Sequence, residues 1–407
     1  MNQSISDHKI PSAPLWLLVL VTFSGTTAMH MFAPALADAQ GAFMVDPRTM
    51  QMSISFYAVG LAFGQILYGA ASDALGRRPC LLFGLVVFSI SSVALCFVSN
   101  FTVHLVLRVF QALGGCSGLI LARAMARDSS TPDMLMQRIS TLNIMVLIGP
   151  GVAPLIGGFL THLYGWRSIF IVIAVFAVIL TLIATLKIEE TGRPSHNLKP
   201  ARIWLKYKVL FESRAFMLMT IAGACVSTAS YAFVAASAFI THNNLHQTAS
   251  HAGWYVGISI VGYTLGNFLA KSLYRYKISL RVIFTCGLTI ATAFGVLLLV
   301  AATHGFLNSH ILLLGICLYT FGTGMCSSLI MAYSLSLHPL ISGSASGLYG
   351  FTQMMVGSIF SFLSGLGSDH AISAFILLII GSCIAAVCVH FGLRIKRHQG
   401  PAQATSS

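Results

Sequence analysis

Residues 69–78, GAASDALGRR, constrain this chain more than any other stretch, because they interrupt two long apolar segments. A single Arg or Asp at the centre of a bilayer costs roughly 2.5–3.5 kcal/mol even on lenient insertion scales. The cluster therefore predicts a tight loop at one membrane face, joining two antiparallel spanning helices. Composition supports that reading. The chain of 407 residues is 56% apolar and only 8% charged, about a third of the charged fraction of an ordinary soluble protein. So few charges cannot cover a soluble surface of this size, and the 36 glycines show no Gly-X-Y period, which excludes collagen. The expected class is an all-α membrane protein.

Taken in order, the chain predicts twelve spans. The first runs from Pro14 to Ala37, and the second ends near Ser72. Others cover 80–99, 102–122, a stretch ending at Tyr164, and 168–186; six more lie at 215–240, 253–270, 280–302, 310–334, 343–366 and 371–393. Residues 187–214 form the longest polar stretch and divide the chain into two six-helix bundles, 1–186 and 215–407. Within it, 201–213 reads either as an amphipathic strip on the inner leaflet or as a plain linker. The net charge of +13 gives no sign of nucleic-acid binding, because its distribution follows the membrane. Of the 23 Lys and Arg, all but Arg48, Arg167 and Arg108 fall on one side, which places both termini in the cytoplasm. The first segment is too long for a signal peptide and lacks a small-residue cleavage site. The nine cysteines sit mostly inside apolar runs without metal spacing and read as packing residues.

Lys271, Arg275, Lys277 and Arg281 stand where the charged turn stood in the first half, and Gly69 and Gly266 occupy matching places. This points to a degenerate internal duplication, the second copy lacking the acid and the arginine pair. Three intramembrane features stand out. Arg108 lies roughly 10 Å below the outer end of its span at 1.5 Å per residue, so it is expected to face a central cavity, with Gln111 on the adjoining turn. His30 lies at a similar depth in the first span. Gly149, Ala153 and Gly157 make one smooth helical face beside Pro150, Pro154 and Gly158, predicting a bent helix that packs closely on another. Gly253, Gly257, Gly262 and Gly266 of the eighth span offer the matching face. Weaker cavity candidates are Tyr57, Gln65, Asn143, Tyr231, Asn267, Tyr319 and Gln353, each of which alone fits an interhelical hydrogen bond better.

GAASDALGRR resembles the loop motif between the second and third helices of the major facilitator superfamily. LRVFQALGGCSG resembles its intramembrane arginine motif, and GPGVAPLIGG followed by GWRSIF resembles the antiporter motif of its twelve-helix drug:proton antiporters. With HMFAPAL in the first span, the chain is most similar to the Bcr/CflA branch. The resemblance implies a major facilitator fold and a conformational role for the loop formed by Gly69, Asp73, Gly76, Arg77 and Arg78, with Asp73 latching the halves. Ala74 stands where the family commonly carries a basic residue. The relatives also commonly carry an acid where this chain has His30, and none of its ten acids falls within the core of a span. Histidine titrates near neutrality, so His30 is a candidate replacement for the missing proton carrier, or else a buried neutral residue.

The reading that follows is a proton-coupled efflux antiporter for drugs or metabolites in a bacterial inner membrane, acting as a monomer by alternating access. Its pathway residues are His30, Arg108, Gln111 and Asn143. Its partners are a small-molecule substrate, protons and membrane lipids, and no cofactor is expected beyond the proton gradient. Arg108 without a buried acid favours anionic or neutral substrates over cations. The alternative is an importer or facilitator of an organic anion or nucleoside-like solute without proton coupling. A phosphate-binding loop is lacking, which speaks against an ATP-driven pump. A membrane-embedded enzyme would need acid or His pairs at catalytic spacing on one face, and the sequence offers none.

Overall fold

Asp46 and Pro47 separate the first two apolar runs, and in a computed structural model of the chain they start a helix in the expected way. The Asp46 carboxylate accepts from Thr49 N–H at 2.5 Å, and Pro47 fills the first helical position, where no N–H is needed. The structure describes residues 13–130, 132–192, 207–338, 341–367 and 369–398. These form twelve long helical segments and, among the described residues, no strand. The first six are α1 (Leu15–Phe43), α2 (Pro47–Leu75), α3 (Arg77–Phe97), α4 (Phe101–Asp128), α5 (Pro132–Tyr164) and α6 (Arg167–Lys187). The second six are α7 (Arg214–Asn244), α8 (Ala249–Arg275), α9 (Leu280–Thr303), α10 (Ser309–Ser336), α11 (Ser342–Ser364) and α12 (His370–His398).

The order of neighbours repeats with a shift of six. α2 packs on α4 and α8 on α10; α3 packs on α4 and α6 while α9 packs on α10 and α12; α1 packs on α5 and α7 on α11. Helix starts repeat too. Asn100 caps α4 by accepting from Val103 N–H at 3.1 Å, and Asn308 caps α10 by accepting from Ile311 N–H at 2.9 Å. The two sets of six meet along α2 with α11 and along α5 with α8, pairs that the same shift exchanges. Nine segments are long and apolar enough to cross a membrane by length and composition, among the described residues. The three outside this count, α5, α8 and α11, all lie on this seam, and in α8 and α11 Gly, Ser, Asn and Gln dilute the apolar residues.

Two helices are irregular near the middle. α1 tightens to a 3-10 turn over Ala33–Ala35, because Pro34 has no N–H to return to the His30 carbonyl. α7 is interrupted at residues 229–230, just before Tyr231, and loosens to a π turn over Ile240–Asn244. Residues 201–206 of the amphipathic stretch lie outside the described residues. The part described, 207–212, is helical, and Leu210 is buried against Phe216, Ala345 and Leu348 rather than offered to lipid.

Candidate functional site

Arg108 is carried by α4 into the interior of the first six helices and is wholly buried. Its Nη1 donates to Gln111 Oε1 at 2.7 Å, and a longer contact of 3.4 Å reaches the Ala28 carbonyl of α1. Gln111 Nε2 in turn donates to Ser92 Oγ on α3 at 2.9 Å. Three rings enclose the guanidinium: Tyr57 of α2 at 4.2 Å, Phe32 of α1 at 5.2 Å and Phe170 of α6 at 5.9 Å. Nε and Nη2 have no hydrogen-bond partner, and no carboxylate joins the group, among the described residues. Each desolvated cation–π contact contributes up to about 2 kcal/mol, so the ring faces stand in for an acid.

Every one of these groups belongs to the first six helices. The expectation that Arg108 faces a central cavity is therefore corrected: the charge points into the core of one bundle. One turn earlier on α4, His104 is also buried, its Nε2 2.9 Å from Ser53 Oγ and its ring 5.0–5.9 Å from Phe43, Phe32, Phe170 and Phe101.

His30 sits apart from this group. Its Nδ1 lies 2.9 Å from the Thr26 carbonyl, which can only accept, so Nδ1 carries the proton and Nε2 keeps its lone pair. The ring packs edge-on against Tyr231 of α7 at 5.9 Å, so His30 lies on the seam between the two sets of helices. Both rings stand beside the irregular turns of their helices. No hydrogen bond or ring contact joins His30 to Arg108, so their similar depth does not bring them together. Equal depth does not fix direction: positions 28 and 30 of α1 are two residues apart, and they point to opposite sides of a 3.6-residue helix. Asn143 lies on α5, with its side chain outside the described residues.

Along the seam, α2 and α11 are joined by neutral hydrogen bonds. Ser364 Oγ donates to Gln51 Oε1 at 2.8 Å, Ser358 Oγ to the Ser55 carbonyl at 2.9 Å, and Gln65 Nε2 to the Gly350 carbonyl at 3.1 Å. Gln51 Nε2 also reaches His370 Nδ1 of α12 at 3.0 Å. Of the weaker candidates, Tyr57, Tyr319 and Gln353 bond between helices, to the Gly25 and Leu378 carbonyls and to Ser227 Oγ; Asn267 bonds within its own helix to Tyr263.

α5 remains helical through Pro150 and Pro154 and has two smooth faces. A Cβ on Gly157 would fall 1.9 Å from the Met31 carbonyl, and one on Gly149 3.2 Å from the Phe23 ring, so the Gly149–Ala153–Gly157 face lies on α1. The face toward α8 is one residue round, with Gly158 against the Ala249 carbonyl at 2.7 Å and Gly253 against the Pro154 carbonyl at 2.3 Å. Gly257 also faces α5, whereas Gly262 and Gly266 meet the Cys317 and Phe321 carbonyls of α10, which corrects their assignment to the α5 contact.

The charged turn is tighter than its sequence suggests. Gly76 alone separates α2 from α3, with φ at 99°, a region that favours glycine. Glu190, just beyond α6, accepts from Arg77 N–H at 2.9 Å, Arg78 N–H at 3.1 Å and Gly192 N–H at 2.8 Å, and so caps α3 from a distance in sequence. Arg77 Nε pairs with Asp128 at the end of α4 at 3.1 Å and its Nη1 donates to Ser72; Arg78 Nη2 donates to the Thr185 carbonyl. Asp73 lies in the last turn of α2, with its side chain outside the described residues. Gly69 is not a close-approach glycine, since a Cβ there would meet nothing within 4 Å. Sequence reasoning missed Glu190, Asp128, Tyr57 as a ring partner, and His104. The one legible signal was charge balance, since two arginines in a short turn need acids from elsewhere.

Comparison with known proteins agrees with this architecture. The family model described as Major Facilitator Superfamily matches residues 18–362. Over 390 residues the chain is 28% identical to the uncharacterized MFS-type transporter YdgK of Bacillus subtilis, covering 94% of this chain and 95% of that protein. It is 25% identical over 360 residues to the bicyclomycin resistance protein homolog of Haemophilus influenzae, covering 88% of this chain and 89% of the relative. It is 27% identical over 356 residues to the multidrug resistance protein D of Escherichia coli, covering 86% and 88%. The repeated six-helix neighbour pattern, the charged turn and these matches together place the chain in the Major Facilitator Superfamily, among its Bcr/CflA-type members.

Proposed function

We propose that this membrane transporter exports small drug-like or metabolite molecules in exchange for protons, by rocking the halves 1–186 and 215–407 about the α2–α11 and α5–α8 contacts. The observation that carries the reading is His30, a titratable ring on the seam between the halves, with a free Nε2 lone pair and no acid beside it. The seam hydrogen bonds among the described residues are neutral, so each can be broken and remade at about 1 kcal/mol. The resistance proteins among the relatives support export of drug-like compounds. Arg108 acts here by holding α1 through the Ala28 carbonyl and Phe32, with Gln111 aligning it, and Asn143 remains a pathway candidate by its place on α5. Asp73, with Arg77 and Arg78, sets the balance between inward- and outward-open forms.

An acid of the seam, Asp38, lies at the outer end of α1 beside His242 and His162, and none lies near His30 among the described residues, so neutral or anionic substrates are preferred to lipophilic cations. Residues at the arginine-rich end, with both termini, face the cytoplasm of a bacterial inner membrane, and one chain suffices for transport. A second reading, a facilitator without proton coupling, is favoured by the same His30–Thr26 hydrogen bond, which suits a permanently neutral ring.

The test is transport into inside-out vesicles with and without an imposed pH gradient. The expected result is accumulation driven by an acidic interior, with His30→Ala retaining downhill exchange but losing the response to the gradient. Gradient-driven accumulation that survives in His30→Ala would eliminate the relay. No accumulation by the unmodified protein under either polarity would leave the facilitator reading.

A further inference from the structure

A hollow lies outside the transport seam, on the outer face of the second six helices. It has a volume of about 660 Å³ and runs between α9 and α12 from Arg281 and Arg394 at the charged end to Ala293 and Ala386 inside. A second hollow of about 490 Å³ continues from Ala293 toward Phe306 at the other end of α9. From Arg281 to Ala293 is twelve residues, or ~18 Å of helix, close to the ~15 Å hydrocarbon depth of one leaflet.

Its charge is confined to one end of that length. Arg281 and Arg394 are exposed and form no ion pair among the described residues. α9 has no acid in its first turn, and Ser279 gives it no side-chain cap, so among the described residues no acid offsets the charge at this corner. His390 lies one turn inward on α12, and Thr285 and Thr289 follow on α9, exposed and without a hydrogen-bond partner among the described residues. Thr292, Ala293 and Ala386 line the inner end, and Phe284, Leu288, Val389 and Leu393 line the walls between. Two cations at one end, hydroxyl donors along α9 and apolar walls of leaflet depth match the groups of a phospholipid: phosphate, glycerol esters, acyl chain.

We propose that the α9–α12 groove is a binding site for an anionic phospholipid. The two arginines hold the phosphate, His390 and the threonine hydroxyls donate to phosphate and ester oxygens, and one acyl chain lies along Thr289 to Ala293. Basic pockets between helices at the cytoplasmic side suit acidic headgroups, and a site of this kind differs from general surface attraction by its fixed stoichiometry. The site is distant from His30 and needs neither proton coupling nor a particular substrate.

Native mass spectrometry of the purified full chain, released from nanodiscs of mixed phosphatidylglycerol and phosphatidylcholine, tests the proposal. The unmodified protein is expected to retain phosphatidylglycerol in preference to phosphatidylcholine. Arg281→Gln combined with Arg394→Gln should weaken that binding about thirtyfold, since each surface arginine favours an anionic lipid by a few-fold. Lys271→Gln with Arg275→Gln removes the same charge from the same end and should leave it unchanged. Ala293→Trp, which fills the channel on an exposed position, should also displace the lipid. Equal loss in both charge pairs would reduce the site to surface attraction and overturn the proposal. So would equal retention of phosphatidylcholine, undiminished binding in Ala293→Trp, or release of the protein as a dimer whose cross-links map to this groove.

Discussion

The interiors of the two six-helix sets are built on the same neighbour pattern and filled with opposite chemistry. In the first, α4 buries Arg108 among Tyr57, Phe32 and Phe170, with Gln111 and Ser92 completing a polar chain and His104 one turn away. In the second, the matching helix α10 buries Tyr319, whose hydroxyl donates to the Leu378 carbonyl, and Cys326, whose thiol meets the Phe284 carbonyl. No fully buried charge is present there among the described residues. The turns differ in the same sense. Glu190 and Asp128 clasp the α2–α3 turn, whereas the α8–α9 turn has Lys277 in a left-handed conformation and no acid against it among the described residues. One half carries a charge in its core, held by rings, and an ion-paired turn; the other is a neutral scaffold. A neutral core is the more stable design, so the charge in the first half is retained for something other than stability.

The sharpest way to break this contrast is Arg108→Met. Replacing an unpaired buried cation by an apolar side chain of similar length should leave thermal stability equal or higher, while transport is lost almost completely. A collapse of stability with transport per folded molecule intact would make Arg108 structural and the contrast empty. Next in size are the two faces of α5. Gly157→Leu drives a side chain into the Met31 backbone and should cost about 1–3 kcal/mol of stability by overpacking, read as lower expression and melting temperature. Gly158→Leu wedges the α5–α8 seam and should depress transport more than stability; the reverse order for the two variants would show that the moving contact has been misassigned.

A smaller effect is expected at the turn. Glu190→Gln replaces a charged acceptor of three backbone N–H groups by a neutral one and should destabilise α3's start by about 1 kcal/mol. The check is faster hydrogen exchange at Arg77 and Arg78, with the α8–α9 turn unaffected. The smallest is Tyr319→Phe in the neutral half. It removes the hydrogen bond to Leu378 and the long one from Ser382, about 1 kcal/mol in all, and should leave transport within twofold of the unmodified protein. A loss approaching that of Arg108→Met would erase the difference between the halves.

The sequence by itself determined the elements. Apolar runs of spanning length, the charges confined between them, the Asp46-Pro47 cap and the turn at Gly76 specified where helices begin, end and reverse, because each depends on neighbouring residues and on the cost of charge in hydrocarbon. It also showed that Arg108, His30 and the α5 glycines are unusual. Direction was left to the tertiary structure. Whether Arg108 faces a cavity or three rings, which of two adjacent glycines meets α1 and which meets α8, and whether Gly262 meets α5 or α10 depend on the rotation of each helix about its axis. That rotation is set by neighbours far away in the chain. The same holds for Glu190, a residue of an ordinary polar stretch until α6 returns it to the start of α3. Intervals along a chain fix depth in a membrane, but only packing fixes which way a side chain points.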